Sequence, residues 1–331
     1  MQLSEIGEFG LINKLRAKCK SSAKDLITGI GDDAAAVKNS PGNTLITSDM
    51  MIENTHFDLS FTTFFQLGYK FLAVNISDIF AMGGNPEYFI ISMGIPDKIN
   101  ASDIEELYAG ITKIASKHNI KIIGGDTCSS KNDFILSGTL TGKAKNIITR
   151  SGAGKGNGIY VKGTLGDSAV GLHLLKMQRK KVHKFTPVNS RLTVIKHHLM
   201  PDPVPLTSTR GVTSMIDLSD GLLIDLSHIC DESNVGAVIY EDKIPLSKAM
   251  REVTKRAGLD PVKMALRGGE DYRLLFTSKH KLKTGAVKIG EITDKERLII
   301  DSKGRKRVLK PEGYEHFKKE GAKRSRGQGS K

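Results

Sequence analysis

Residues 72–84, LAVNISDIFAMGG, carry one acid, Asp78, in the middle of an apolar run. An aspartate there neither caps a helix nor makes a turn, and a buried carboxylate is costly unless it is paired or metal-bound. The run belongs to a helix expected over residues 63–82. A second helix is expected over 102–118, started by a capping box of Ser102 and Glu105. Its apolar residues Ile104, Leu107, Tyr108, Ile111 and Ile114 share one face. Residues 44–48, 120–123 and 134–142 read as strands. RSGAGKGNG, residues 150–158, is a composition break. Beyond it come a strand at IYVKG, a helix from Asp167, a strand at TSMID, a helix from Ser219, and strands near 235–240, 272–277 and 297–301. A chain of 331 residues exceeds one hydrophobic core. The expectation is two domains of α+β or α/β type, with sheets covered on one side.

The other aspartates fall in a pattern. Asp32 and Asp33 lie in a Gly-Ile-Gly-Asp-Asp turn, Asp49 ends TLITSD, Asp126 follows IKIIGG, and Asp217 and Asp220 sit in MIDLSDGL. Taken singly, an acid in a glycine-rich turn is turn chemistry, and an acid or serine before a helix is an N-cap. Together, carboxylates that converge demand cations. The donors are all oxygen, with Thr47 or Ser48 beside Asp49, and such a set suits Mg²⁺ rather than zinc or copper. Magnesium held by a few carboxylates completes its shell with substrate phosphates and water, which points to nucleotide or polyphosphate chemistry. Backbone donors for phosphate are expected from the GGDT turn (124–127) and from GTLGDSAVGL (163–172). No Walker A loop, protein-kinase motif set or GxSxG elbow is present. Cys128, next to GGDT, is expected to be packed and inert.

Composition sets further bounds. Lys and Arg number 50 against 36 Asp and Glu, a net charge of +14. Half of it, +7, lies in residues 301–331, so the excess reads as a solubilising tail rather than an RNA-binding arm. The three cysteines, Cys19, Cys128 and Cys230, form no CxxC pair. That argues against a disulfide framework or structural zinc. With no secretory pattern and no membrane span, the expected location is the cytoplasm.

Nine motifs, in order over residues 5–317, carry a resemblance: GIGDDAA, TSDMMIENTHF, NISDIFAMGGNP, IIGGDT, TRSGA, GTLGDSAVGL, IDLSDGL, GGEDYRLLF and GYEHF. The sequence resembles the thiamine-monophosphate kinases, within the superfamily of aminoimidazole ribonucleotide synthetase and selenophosphate synthetase. SDMMIENTHF, GGEDYRLLF and GYEHF in combination are specific to that kinase. The resemblance implies a two-domain PurM-like fold of α+β (α/β-like) class. Residues 1–149 would form the nucleotide-binding and dimerisation domain, 150–317 a C-terminal α/β domain, and 318–331 a basic tail. The N-terminal domains of a homodimer would pair into a β-barrel. The implied reaction is in-line phosphoryl transfer from ATP to thiamine monophosphate, giving thiamine diphosphate without a phosphoenzyme.

By the same resemblance, Asp33, Thr47, Ser48, Asp49, Asp78, Asp126, Asp217 and Asp220 are implied to hold several Mg²⁺ ions, with K⁺ a further candidate cofactor. Tyr108, Gly125, Asp126, Arg150 and Ser219 are implied to contact ATP. His56, Glu270 and Tyr314 are implied on the thiamine side, with Tyr314 stacking on a substrate ring. Asp33, Asp78, Asp126, Arg150 and Asp220 are the implied catalytic set. The alternatives are another ATP-dependent enzyme of the superfamily, such as an aminoimidazole ribonucleotide synthetase, or a nucleic-acid-binding protein on the same scaffold.

Overall fold

Alternation of apolar and polar residues builds the first sheet. Its strands are β1 (Leu26–Thr28), β2 (Ala35–Lys38), β3 (Asn43–Ile52), β4 (Asn85–Pro96), β5 (Lys121–Ser130) and β6 (Ile135–Ala144). They lie in the order β1-β2-β3-β6-β4-β5, antiparallel except for the parallel pair β4 and β5. The computed structural model describes residues 10–13, 24–29, 31–39, 42–185, 189–280, 282 and 284–317. The expected basic tail at 318–331 and Cys19 lie outside the described residues.

Two helices cover one face of this sheet. Helix α1 (Phe64–Ala81) packs on β3, β6 and β4, and α2 (Ala101–His118) packs on α1. The two helices meet through glycines. A Cβ on Gly68 would fall 1.9 Å from the Leu107 carbonyl oxygen, and one on Gly110 would fall 1.9 Å from that of Phe65. No side chain fits there, so the helix backbones touch. Helix α2 starts one residue earlier than expected. Asp103, not Glu105, accepts the bond from the cap backbone, at 2.8 Å from Asn100 N. Asn100 and Asp103 have the same three-residue spacing as Ser102 and Glu105, and the structure uses the earlier pair.

The second sheet contains β7 (Gly158–Lys162), β8 (Val212–Asp217), β9 (Gly236–Tyr240), β10 (Leu274–Ser278), β11 (Val287–Thr293), β12 (Arg297–Ile300) and β13 (Lys306–Val308). Their order is β13-β12-β9-β11-β7-β10-β8. Helices α3 (Asp167–Gln178), α4 (Ser190–Leu199), α5 (Leu222–Glu232), α6 (Lys248–Ala257) and α7 (Pro261–Arg267) accompany it. The helix expected from Ser219 starts at Leu222, so Ser219 and Asp220 stand in the loop before it.

The expectation of sheets covered on one side holds for the first sheet and fails for the second. Tyr160, Met215, Leu274 and Phe276 join the core under α1, whereas their neighbours Ile159, Ile216 and Leu275 join the core under the C-terminal helices. Strand alternation therefore buries both faces. Helix α1 lies between the two sheets and touches β8 as well as β3. Nearly all of its residues are buried. The first sheet's other face stays open, with Ile46, Met50, Tyr88 and Ile90 exposed on it. Among the described residues, no helix is long and apolar enough to cross a membrane.

Candidate active site

The carboxylates gather where α1 passes between β3 and the end of β8. Asp33, Asp78 and Asp217 bring oxygens within 4.8 Å of one another. Asp49 joins them through a hydrogen bond with Asp78. Local structure explains the convergence. Thr47 and Asp49 alternate onto the inner face of β3, and the Thr47 hydroxyl donates to Asp78 Oδ2 at 2.5 Å. Asp49 lies within β3, which continues to Ile52, rather than at its end. Ser77 on α1 donates to Asp217 Oδ2 at 2.7 Å. Arg150 Nη2 meets Asp33 Oδ1 at 2.6 Å, and its backbone N–H donates to Asp32 Oδ2 at 3.2 Å.

Crowding and burial act in the same direction on these acids. Burial, then Asp33, push the Asp217 carboxyl up to about 8. Burial pushes Asp49 up to about 6 and Asp32 up to about 7. Asp78 rises well above the carboxylate range through burial and then the charges of Asp49, Asp217 and Asp33. Burial raises Asp33 as well, against the pull of Arg150. Arg150 is itself disfavoured by burial, but the neighbouring aspartates hold it firmly charged. Asp33 Oδ2 and Asp49 Oδ2 are buried without a hydrogen-bond partner. Buried acceptors are normally paired. Two such oxygens in an all-oxygen set fit a hard divalent cation such as Mg²⁺.

A second polar group lies further along α1. Lys70, buried on the helix, pairs with Glu270 at 2.7 Å. His198 Nδ1 lies 3.2 Å from the other Glu270 oxygen and 3.1 Å from Ser168 Oγ. Burial, then Lys70, holds His198 down to about 3, so it is neutral. Burial alone would raise the Glu270 carboxyl, but Lys70 and His198 pull it below its usual value. Glu270 and Tyr272 both have left-handed backbone, with φ of 62° and 48°. Such strain in residues other than glycine concentrates at functional segments. Close by, His56 Nε2 faces His316 Nε2 at 3.2 Å, and Tyr314 Oη faces His316 Nδ1 at 3.1 Å. His56 and Tyr314, far apart in sequence, are thus linked through His316, and the charges of Glu270 and Lys70 act on His56.

Other expected residues lie elsewhere or act differently. The GGDT segment is not a turn: Gly125 and Asp126 lie inside β5, and Asp126 is exposed. Strand β5 is separated from β3 by β6 and β4. At about 4.8 Å per strand, that is about 14 Å. Ser48 alternates to the open face of β3, 3.0 Å from the Gly138 carbonyl oxygen, and does not face Asp78. Tyr108 packs against the first core, as a helix-face residue does. Cys128 is exposed rather than packed, because β5 is an edge strand with an open face. The amides expected from GTLGDSAVGL are occupied: Asp271 accepts from Gly166 N at 2.6 Å and from Ser168 N at 3.3 Å. Asp220 and Ser219 form the loop at the end of β8. Asp225 holds that loop, accepting from Gly221 N at 3.0 Å and Asp220 N at 3.3 Å.

Sequence reading missed Ser77, Lys70, His198, Asp225 and His316. Lys70 carried a signal, a cation in an apolar helical run eight residues before Asp78. Asp225 carried one too, an acid in the first turn of its helix. Ser77, His198 and His316 take their meaning only from partners remote in the chain.

Known proteins resemble this chain in sequence and in fold. Residues 31–144 match the AIR synthase related protein N-terminal domain, and 154–303 match the corresponding C-terminal domain. The thiamine-monophosphate kinase of Aquifex aeolicus (strain VF5) is 34% identical over 325 residues, covering 96% of this chain and 100% of that protein. That of Escherichia coli (strain K12) is 36% identical over 329 residues, covering 94% and 98%. The solved structure of AaThiL complexed with AMPPCP and TMP superposes with a TM-score of 0.83 at 31% identity, covering 96% of this chain and 99% of that one. Alike in fold over nearly its whole length and 34–36% identical in sequence to these two enzymes, the chain belongs to the thiamine-monophosphate kinase family.

Proposed function

We propose that this protein transfers the terminal phosphoryl group of ATP to thiamine monophosphate, forming thiamine diphosphate. The observation that carries the reading is the buried group of Asp33, Asp49, Asp78 and Asp217 beside Arg150, with two carboxylate oxygens lacking partners.

The chain's own residues divide the work. Asp33, Asp49, Asp78 and Asp217, with the Thr47 hydroxyl, would hold magnesium, and Asp220 stands at the end of β8 next to them. Bound magnesium supplies charge neutralisation for phosphate oxygens. Arg150, fixed by Asp33 and Asp32, offers a planar fork to the transferring group. The nucleophile is a phosphate oxygen of the substrate, already anionic at neutral pH, so no protein base is needed. Catalysis is then positioning and electrostatics. On the other side, Glu270 is kept ionised by Lys70 and suits the cationic thiazolium. His56 lies beside it, and Tyr314 offers a stacking face. The functional division falls near residue 150: residues 1–149 supply most metal ligands together with Lys70 and His56, and 150–317 supply Arg150, Asp217, Glu270 and Tyr314.

One chain leaves Ser48, Gly125 and Asp126 away from the carboxylate group. Ser48 shares the sheet's open face with Ile46, Met50, Tyr88 and Ile90, and Asp126 is in register with Ser92 of that face. An apolar face of this kind calls for a partner. A second copy packed there forms the dimeric barrel and carries its edge-strand nucleotide residues to the site.

The test is an assay of purified protein with ATP, Mg²⁺ and thiamine monophosphate, following ADP and thiamine diphosphate. Turnover must require the substrate's phosphate. Equal turnover of free thiamine, or none of thiamine monophosphate, overturns the reading.

A further inference from the structure

We propose that His316 positions Tyr314 on the thiamine side by passing on a hydrogen-bond direction that the backbone of Ile52 imposes. The inference rests on the kinase reading above and deepens it.

Three contacts form a chain. Ile52 N lies 3.0 Å from His56 Nδ1, His56 Nε2 lies 3.2 Å from His316 Nε2, and His316 Nδ1 lies 3.1 Å from Tyr314 Oη. A backbone N–H can only donate. His56 Nδ1 is therefore an acceptor, and the neutral ring carries its hydrogen on Nε2. That hydrogen points at His316 Nε2, which must accept. A His316 ring that accepts at Nε2 carries its hydrogen on Nδ1 and donates it to Tyr314 Oη. An oxygen that accepts this bond turns its own O–H away from the imidazole. Tyr314 thus points its O–H away from His316, the orientation that suits a substrate acceptor such as a heteroaromatic nitrogen.

Ring geometry supports an ordered arrangement. The His56 and His316 centroids are 5.0 Å apart, and Tyr314 meets His316 edge to face at 4.8 Å and 86°. Reversing one tautomer would set two hydrogens, or two lone pairs, against each other at one contact. The direction is therefore fixed along the chain from a single amide. Glu270 and Lys70 are the charged groups facing His56.

The experiment compares His316→Ala with His316→Gln. A glutamine can accept from His56 through its oxygen and donate to Tyr314 through its nitrogen. The alanine variant is expected to raise KM for thiamine monophosphate on the order of tenfold, the effect of one positioned hydrogen bond. KM for ATP should stay within about twofold, and the glutamine variant should recover most of the loss. Nitrogen-15 NMR of the wild-type protein without substrate should show His56 protonated on Nε2 and His316 on Nδ1. An unchanged KM in His316→Ala, no recovery in His316→Gln, or a His56 protonated on Nδ1 overturns the proposal. The tautomers are read without turnover. A wild type with these tautomers but no kinase activity therefore counts against the kinase reading and not against the bonding of His316.

Discussion

At Asp78, the expense of burying a charge and the need for a cation meet in one side chain. Its carboxyl faces Asp33, Asp49 and Asp217, and without a counter-ion each disfavours the others' ionisation. Asp78→Asn removes a ligand and also removes repulsion. We expect phosphoryl transfer to fall by at least about 100-fold, the scale of losing one preorganised electrostatic contact. The melting temperature of the metal-free variant should be no lower than that of the wild type, because the amide still accepts from Thr47. A coupled assay beside thermal denaturation checks both. A variant with full turnover would remove Asp78 from the metal site. Asp78 was legible in sequence because an acid in an apolar helix has few explanations. Its neighbour Ser77, which donates to Asp217, was not, since a serine there reads equally well as an ordinary small residue. Ser48 shows the opposite failure. Its neighbour Thr47 is a good candidate, but adjacent strand residues point to opposite faces, and only one can meet Asp78.

At the scale of elements, the contact of α1 with α2 holds Asp78 in place. Gly68→Ala would put a methyl group into the Leu107 carbonyl, and backbone cannot give way as a side chain can. The helices must part, and overpacking of this sort is worth about 1–3 kcal/mol. Urea denaturation should register that loss, and kcat should drop with it as Asp78 shifts against β3. Normal stability would mean that the helices tolerate separation. Helix α2 was readable from the spacing of its apolar residues, and α1 was expected within two residues of its observed ends. The start of α2 was not, because two overlapping residue pairs offered the same cap. The GGDT segment was misread for a different reason. Paired glycines suggest a turn locally, yet β4 recruits them into an edge strand through long-range pairing that no local window contains.

For the whole molecule, the clustered acids couple stability to pH. In the metal-free protein Asp217 sits at about 8 and Asp32 at about 7, against an ordinary 3.8. The native state then holds protons that the unfolded chain releases. Their contribution is present in full below the unfolded value and is lost as pH rises through 7 and 8. The buried histidines act oppositely, with His198 at about 3 and His228 at about 4, but they penalise folding only below their ordinary 6.5. Between about pH 6.5 and 8.5 the acids dominate. Thermal denaturation in chelator should show the melting temperature falling across that window, and Mg²⁺ should abolish the fall. A rising curve in chelator would contradict the crowded-acid account. Association is testable at the same scale. Ile90→Lys places a charge on the open face of the first sheet, and sedimentation should show monomers with activity lost. Active monomers would rule out a site completed by a second copy. The two-domain α/β character was visible in the alternating segments. The burial of both faces of the second sheet was not, because its outer cover comes from α1, in the other half of the chain. That helix has a further consequence. Lys70 and Asp78 are eight residues apart on it, about 12 Å at the helical rise. One pairs with the acid proposed for the vitamin, the other with those proposed for the metal, so under that reading α1 would serve as a ruler between the reactants. A single-residue insertion between them would turn one end by about 100° relative to the other, and no loop elsewhere could restore the gauge.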